Sequence, residues 1–226
     1  MPLRDQSPGT IRRATVDDLD RIRELAVLGW RPIYNQFRLI VGDEMWNALW
    51  ADWEESWFDL KPDTWDQRII VTEVDSEVVG FATWWTGDGD LAEVGGNAVD
   101  PDYLRRGIGS VQIRWIIDMF REDGYTCAKV HTGLDPSHGP ARAEYRNAGF
   151  SLGVTNSVYY NYLSEVADVP IKRGLRFRWS QRKDADLVRH LARDSWATVH
   201  EDMRKAVGDE ILAAAFPKIA EAKADE

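Results

Sequence analysis

The sequence predicts an α/β fold built on a mixed sheet. Three observations carry this. Short runs rich in Val, Ile and Thr alternate with segments of helical period, in the order β-α-α-β-β-β-α-β-α-β. A glycine-containing loop joins a strand ending at Val99 directly to a helix beginning near Gly107. Residues 177–216 repeat residues 11–50 at a constant offset of 166, so the opening elements occur twice.

Residues 10–14 read as a short first strand. Thr15 and Asp18 then fit a capping box, and Leu19, Ile22, Leu25, Ala26 and Gly29 line one face of the following helix. A second helix is predicted over 42–58. It carries Trp46, Trp50, Trp53 and Trp57 on one face, as a buried packing stripe or as the aromatic wall of an acceptor pocket. Residues 59–67, with Pro62 and three aspartates, read as a loop. Strands follow over 69–74 and 78–85, joined by a turn at Asp75-Ser76, and a third over 91–99 after a turn at 86–90. Gly95 and Gly96 inside that third strand mark a bulge or a close backbone approach. The loop Asp100–Arg106 leads to a helix over 107–122 ended by Asp123-Gly124, a strand over 128–131, a helix over 139–148 stopped by Gly149, and a strand over 157–163.

In the repeat, thirteen of forty aligned positions are identical, among them Arg12/Arg178, Asp18/Asp184, Trp30/Trp196, Gly42/Gly208 and Asp43/Asp209. Chance would give about two to three on ordinary residue usage. The second copy is expected to form a strand and two helices, and it has no loop able to repeat the one after Val99. We therefore expect a main domain over 1–165 and a partial repeat over 166–226. The apolar helix faces of the repeat (Val188, Leu191, Ala192; Ile211, Leu212, Ala215) must be buried, either on the same chain's sheet or by exchange with a second chain in a homodimer.

Composition narrows the function classes. The 226 residues carry a net charge of −10, which disfavours binding to nucleic acid, where phosphate contacts dominate affinity. An acidic surface suits cationic acceptors such as amines, or serves solubility alone. No apolar run approaches the roughly 18 residues of a membrane span, and the N-terminus has no signal-like apolar stretch. A single cysteine, Cys127, forms no internal disulfide and suits a reducing cytoplasm. No zinc-ligand spacing and no Gly-x-Ser-x-Gly elbow is present, so a metal is not expected and direct transfer is preferred over an acyl-enzyme.

The most specific segment is Val99-Asp100-Pro101-Asp102-Tyr103-Leu104-Arg105-Arg106-Gly107-Ile108-Gly109-Ser110. A helix start offers backbone N–H groups and the positive end of the helix dipole, glycines let that backbone approach a pyrophosphate, and Arg105 and Arg106 add charge. The segment resembles the GNAT superfamily of acyl-CoA-dependent N-acyltransferases, whose loop reads Gln/Arg-x-x-Gly-x-Gly/Ala after Val-x-Pro. Gly107 and Gly109 fit, while Leu104 departs from the Gln/Arg position. The family's second segment, Asn-x-x-Ala-x-x-x-Tyr followed by Gly-Phe, is matched by Ala141, Tyr145, Gly149 and Phe150, with His138 in the place of the asparagine. The resemblance covers about residues 10–163.

The resemblance implies a mostly antiparallel central sheet flanked by helices, acetyl-CoA as cosubstrate, and direct transfer of an acetyl group to a primary amine of a small molecule. It places Arg105, Arg106, Gly107, Ile108, Gly109 and Ser110 around the pyrophosphate, and His138 and Ala141 on the pantetheine arm. The backbone of Ala98 and Val99 would hold the acyl carbonyl and the pantetheine amides. Tyr145 would be the general acid and Glu93 the base, directly or through water; His131 is a candidate relay. Asn97, placed by simple alternation on the same side of its strand as Glu93, would bind substrate together with Trp30, Tyr34 and Trp84. The alternative reading is a non-catalytic acyl-CoA-binding regulatory module.

Overall fold

Five strands form one sheet in the order β1 (Thr10–Arg13), β2 (Ile69–Val74), β3 (Glu77–Thr86), β4 (Leu91–Val99) and β5 (Cys127–Val130). The first four are antiparallel neighbours, and β5 joins β4 in parallel. The structure, a computed structural model, describes residues 9–56, 68–87, 89–160, 174 and 178–215. The chain divides into two units, Met1–Ser151 and Leu152–Glu226.

The first unit has helices on both faces of the sheet. Helix α1 (Leu19–Trp50) covers one face, where Ile22, Leu25 and Ala26 pack on Ile69, Val71, Phe81 and Ala98. Helices α3 (Ile108–Glu122) and α4 (Gly139–Asn147) cover the other, where Ile113, Ile116, Phe120 and Tyr145 pack on Ile70, Ala82, Trp84, Ala92 and Val94. The mixed, mostly antiparallel sheet with flanking helices is as the sequence implied. Helix α3 ends as its sequence dictates: Gly124 takes φ +88°, and the Tyr125 N–H donates back to the Phe120 carbonyl at 2.9 Å.

Gly42 divides the long α1. It sits at φ +80° and ψ 166°, outside helical space, so the expected second helix begins after it. A short α2 (Trp53–Ser56) follows. Trp46 and Trp53 are buried with Tyr34, which stacks on Trp53 at 4.3 Å between ring centroids. The tryptophan stripe is thus a packing core; Trp57 and the predicted loop 59–67 lie outside the described residues, save that Arg68 leads into β2.

The start of α1 is fixed by Arg12. Its guanidinium contacts Asp18 at 2.7 and 2.8 Å and Glu73 at 2.7 Å, joining β1, the helix cap and β2. Asp18 also accepts from the Thr15 N–H at 2.7 Å, the reciprocal half of the expected capping box. The Arg12 hydrogen bond, against the opposing effect of burial, holds the Asp18 carboxyl below its ordinary 3.8.

In the second unit, residues 157–160 of the strand expected over 157–163 are exposed and in neither helix nor strand, and 161–163 lie outside the described residues. At the start of the repeat, residues 178–180 are likewise exposed and in neither helix nor strand, and 177 lies outside the described residues. The contact-dense units meet at 151/152. The helices of the segment do form, as α5 (Ala185–Val207) and α6 (Asp209–Ala215), and their local chemistry matches that of α1. Arg178 bonds Asp184 at 2.6 Å as Arg12 bonds Asp18, and Gly208 takes φ 85° and ψ 165° as Gly42 does. Arg204 meets Asp209 at 3.0 Å, the counterpart of Arg38 and Asp43 at 2.6 Å. No helix among the described residues is long and apolar enough to cross a membrane.

The Arg12 cluster gives a signed expectation. A carboxyl whose folded pKa is depressed contributes stability above its unfolded pKa and loses it as pH falls through the folded value. Asp18→Asn should therefore lower stability at neutral pH by about 1–2 kcal/mol, the order for a charge-assisted pair whose arginine is partly open to solvent. Its unfolding free energy should also fall less steeply than wild type below pH 3.8, as read by urea denaturation at a series of pH values.

Candidate active site

A cleft opens where β4 and β5 part. Their pairing runs from Leu91 opposite Cys127 to Val94 opposite Val130 and stops, while β4 continues to Val99 against β3. The β3–β4 register slips by one residue opposite Thr83, so Gly95 and Gly96 form the bulge that the glycines announced. Thr83 donates its hydroxyl to the Gly96 carbonyl at 3.1 Å, and the Trp30 ring lies where a Gly96 Cβ would stand. Glycine is required there because helix α1 crosses the strand at close range.

The bulge reverses which face each residue presents. Ala92 and Val94 belong to the core under α3 and α4, whereas Ala98 belongs to the core under α1. Glu93 and Asn97 therefore face opposite sides, which corrects the simple alternation. Asn97 meets α4: its Oδ1 accepts from the Tyr145 hydroxyl at 3.3 Å and its Nδ2 donates to Glu144 Oε2 at 3.4 Å. Glu93 instead meets His131 Nδ1 at 2.7 Å and Lys129 Nζ at 3.0 Å. Burial pushes the Glu93 carboxyl up, but hydrogen bonds from Lys129 and His131 outweigh it and hold the group below its usual range. Tyr145 is 7% exposed, and burial, with Glu144 beside it, pushes its phenol up to about 12.

At the other end of the cleft the loop after Val99 has the geometry of an anion cradle. Arg105 takes φ +62° and Gly107 φ +80°, two left-handed residues in a three-residue stretch. The first helical bond of α3 runs from the Val111 N–H to the Gly107 carbonyl, so the amides of Ile108, Gly109 and Ser110 have no helical acceptor. Leu104, exposed at the cleft, makes no polar contribution. His138 begins α4 with Nδ1 against Asp135 at 2.6 Å, which turns its Nε2 to other partners.

Most of the residues singled out in the sequence come together: Glu93, Asn97, Ala98, Val99, Arg105, Gly107 through Ser110, His138, Ala141, Tyr145 and Trp30 all line this cleft. Three do not. Arg106 turns away, donating to the Asp102 carbonyl at 2.9 Å and lying over the Tyr103 ring. Tyr34 is in the tryptophan core. Trp84 is 3% exposed in the core under α3, beneath Arg13. Its neighbour Trp85, 53% exposed and paired with Glu93 across the strands, lines the cleft in its place. Consecutive strand residues face opposite ways, so the pair Trp84-Trp85 was signal enough that only one could do so. Glu144 was also missed; it is the residue before Tyr145, and its carboxyl rests over Gly109. Among the described residues no group of His, Cys, Asp or Glu is placed to hold a metal.

The parted β4–β5 pair, the bulged strand on one side and the anion cradle at a helix start all lie within or beside one matched segment. Residues 42–150 match the model of the Acetyltransferase (GNAT) family, and the chain carries a domain of that family. Two curated relatives are similar to it. A mycothiol acetyltransferase of Clavibacter sepedonicus is 33% identical over 96 residues, 42% of this chain and 29% of the relative. An uncharacterized N-acetyltransferase of Methanocaldococcus jannaschii is 29% identical over 147 residues, 62% of this chain and 60% of the relative. The matched segments thus span less than two thirds of either relative. The crystal structure of a PaiA N-acetyltransferase from Thermoplasma acidophilum, in complex with coenzyme A, shares the fold at a TM-score of 0.51 with 16% identity, over 65% of this chain and 92% of that one.

The electrostatics of Glu93 are open to direct measurement. Replacing both partners, Lys129→Met with His131→Phe, removes the two interactions that hold the carboxyl down and leaves burial to raise it. Carboxyl-carbon NMR should report a higher Glu93 pKa in the double variant; an unchanged value would mean that the ion pairs do not set it.

Proposed function

We propose that the protein is an acetyl-CoA-dependent N-acetyltransferase that passes an acetyl group directly to a primary amine of a small molecule. The observation that carries this reading is the convergence of Tyr145, Asn97 and the Glu93–His131 pair on the gap between β4 and β5, one strand's length from the anion cradle. The residues fit the cosubstrate. The amides of Ile108, Gly109 and Ser110 with Arg105 suit a pyrophosphate, the Ala98 and Val99 backbone suits amide and carbonyl partners, and His138 Nε2 suits a pantetheine amide N–H.

Acetyl-CoA supplies the activated thioester. The cleft holds the thioester carbonyl beside the amine, which supplies much of the rate by proximity. The new C–N bond forms as the C–S bond breaks. The proton from the amine passes to the Glu93–His131 pair, directly or through water. With Nδ1–H donated to Glu93, the His131 Nε2 lone pair is available to receive it. The depressed Glu93 makes the pair, rather than the carboxylate alone, the acceptor. Tyr145 donates its phenolic proton to the departing thiolate, and the raised phenol keeps that proton in place at neutral pH. Trp30 and Trp85 flank the acceptor end, and the net charge of −10 favours a cationic acceptor.

We also read residues 178–215 as a partial copy of the unit that opens the main domain. Its matching caps and helix break support this, and it carries no cradle, so one acyl-CoA site per chain is expected. Pairing of two chains through the exposed Val188, Leu191 and Trp196 would bury that surface.

Incubation with acetyl-CoA and a panel of amines should release free thiol with at least one of them. Acetyl-CoA binding without thiol release for any amine would favour a regulatory module. Tyr145→Phe should lower kcat by about 10²–10⁴-fold, the range for a positioned acid, with acetyl-CoA affinity nearly unchanged. Unchanged kcat would remove Tyr145 from the chemistry.

A further inference from the structure

The active cleft contains a second carboxylate, Glu144, that the acid–base scheme above does not use. We infer that Glu144 is a positioning residue: it fixes the Asn97 amide, and through it the Tyr145 hydroxyl, as proton donor. The inference rests on the acetyltransferase reading and deepens it.

The geometry assigns each group its role. An ionised carboxylate only accepts, so Asn97 must turn its Nδ2 toward Glu144, at 3.4 Å. That turn leaves Oδ1 toward the phenol, and Oδ1 only accepts, so the Tyr145 hydroxyl must donate to it, at 3.3 Å. One carboxylate thereby sets the direction of two hydrogen bonds. The hydroxyl rests on a neutral amide oxygen; a thiolate forming in the cleft is the stronger, charged acceptor and takes the donor over. The proton then moves from the phenol to sulfur, and the phenolate is reprotonated after the product leaves.

Room for the carboxylate is built into the facing helix. A Cβ on Gly109 would overlap Glu144 Oε1, so the glycine of the cradle also admits the positioning group. The surroundings of Tyr145 leave Glu144 as the nearest charge. From β4 and the end of β5, Glu93 and His131 face the cleft and are bound to each other. The turn before α4 contributes His138, held by Asp135, and the loop contributes Asp102 and Arg105. Helix α1 brings Trp30 and Ile33, and α3 brings Gly109 and Ser110, none of them charged. Burial raises Glu144 while Asn97 holds it back, and its negative charge in turn opposes formation of the phenolate.

The test is a double-mutant cycle on kcat with acetyl-CoA affinity measured alongside. Glu144→Leu and Asn97→Ala should each lower kcat about tenfold, the combined variant should lose no more than the larger single loss, and affinity should stay within about twofold. Glu144→Leu added to Tyr145→Phe should change nothing further. Glu144→Gln keeps an acceptor for Asn97 but no charge. It should recover most of kcat, and because the phenol must be protonated to donate, its alkaline limb should move to lower pH. Losses at Glu144 and Asn97 that multiply, or a full loss from Glu144→Leu in the Tyr145→Phe background, would overturn the inference. Full kcat in Glu144→Leu with a loss in Tyr145→Phe would overturn it while leaving the acid reading intact. Full kcat in Tyr145→Phe would overturn both.

Discussion

The bulge at Gly95–Gly96 is the constraint on which the active cleft depends. One extra residue in β4 against β3 does three things at once. It bends the strand away from β5, so that parallel pairing ends at Val94 and a gap opens. It reverses the faces, sending Ala98 to the α1 core and Asn97 to α4. It brings the strand so close to α1 that Trp30 occupies the place of a side chain at Gly96. The core under α3 and α4 ends at Val94, where the cleft begins, so packing and function divide at the bulge.

The reversal also separates the two carboxylates of the cleft, and their environments drive them in opposite directions. Glu93 faces Lys129 and His131 and is held low; Glu144 faces Gly109 of α3, where burial outweighs its bond to Asn97 and holds it high. Groups pushed apart in this way mark different tasks. The low one stays charged and orients an imidazole. The high one sits beside the phenol and biases it toward the protonated state. Were β4 regular, Asn97 would share the face of Glu93, and the chain from Glu144 to Tyr145 would have no middle member.

What the sequence made legible follows from how local each feature is. The capping box at Thr15, the strand alternation, the left-handed stop at Gly124 and the cradle at Gly107 are each set by residues within a turn of one another. All were readable for that reason. The glycines foretold the bulge, but its effect on the faces of Glu93 and Asn97 depends on the register with β3, a long-range property. Trp84 and Tyr34 were misplaced for a related reason. Both are aromatic and close in sequence to the cleft, and only the packing of α3 and of the tryptophan core decides that they are interior. Glu144 was passed over because one helix position beside a motif tyrosine gives no sign, taken alone, of pointing at Gly109.

The second unit separates local from long-range causes within one chain. Residues 178–215 reproduce the Arg–Asp pair at the helix start, the break at a glycine of nearly identical φ and ψ, and the arginine–aspartate pair across that break. Each needs only neighbours in sequence, and each forms. Of the positions matching β1, residues 178 and 179 are exposed and in neither helix nor strand, and 176 and 177 lie outside the described residues. In the first copy β1 exists because β2 supplies its ladder, and Arg12 gains a second partner in Glu73 from that same strand. Ile22 and Leu25 are buried because β2, β3 and β4 lie under them, whereas their counterparts Val188 and Leu191 are exposed. Capping and backbone geometry are thus sufficient to specify the helices, and the sheet is what converts an amphipathic helix pair into one wall of the cleft.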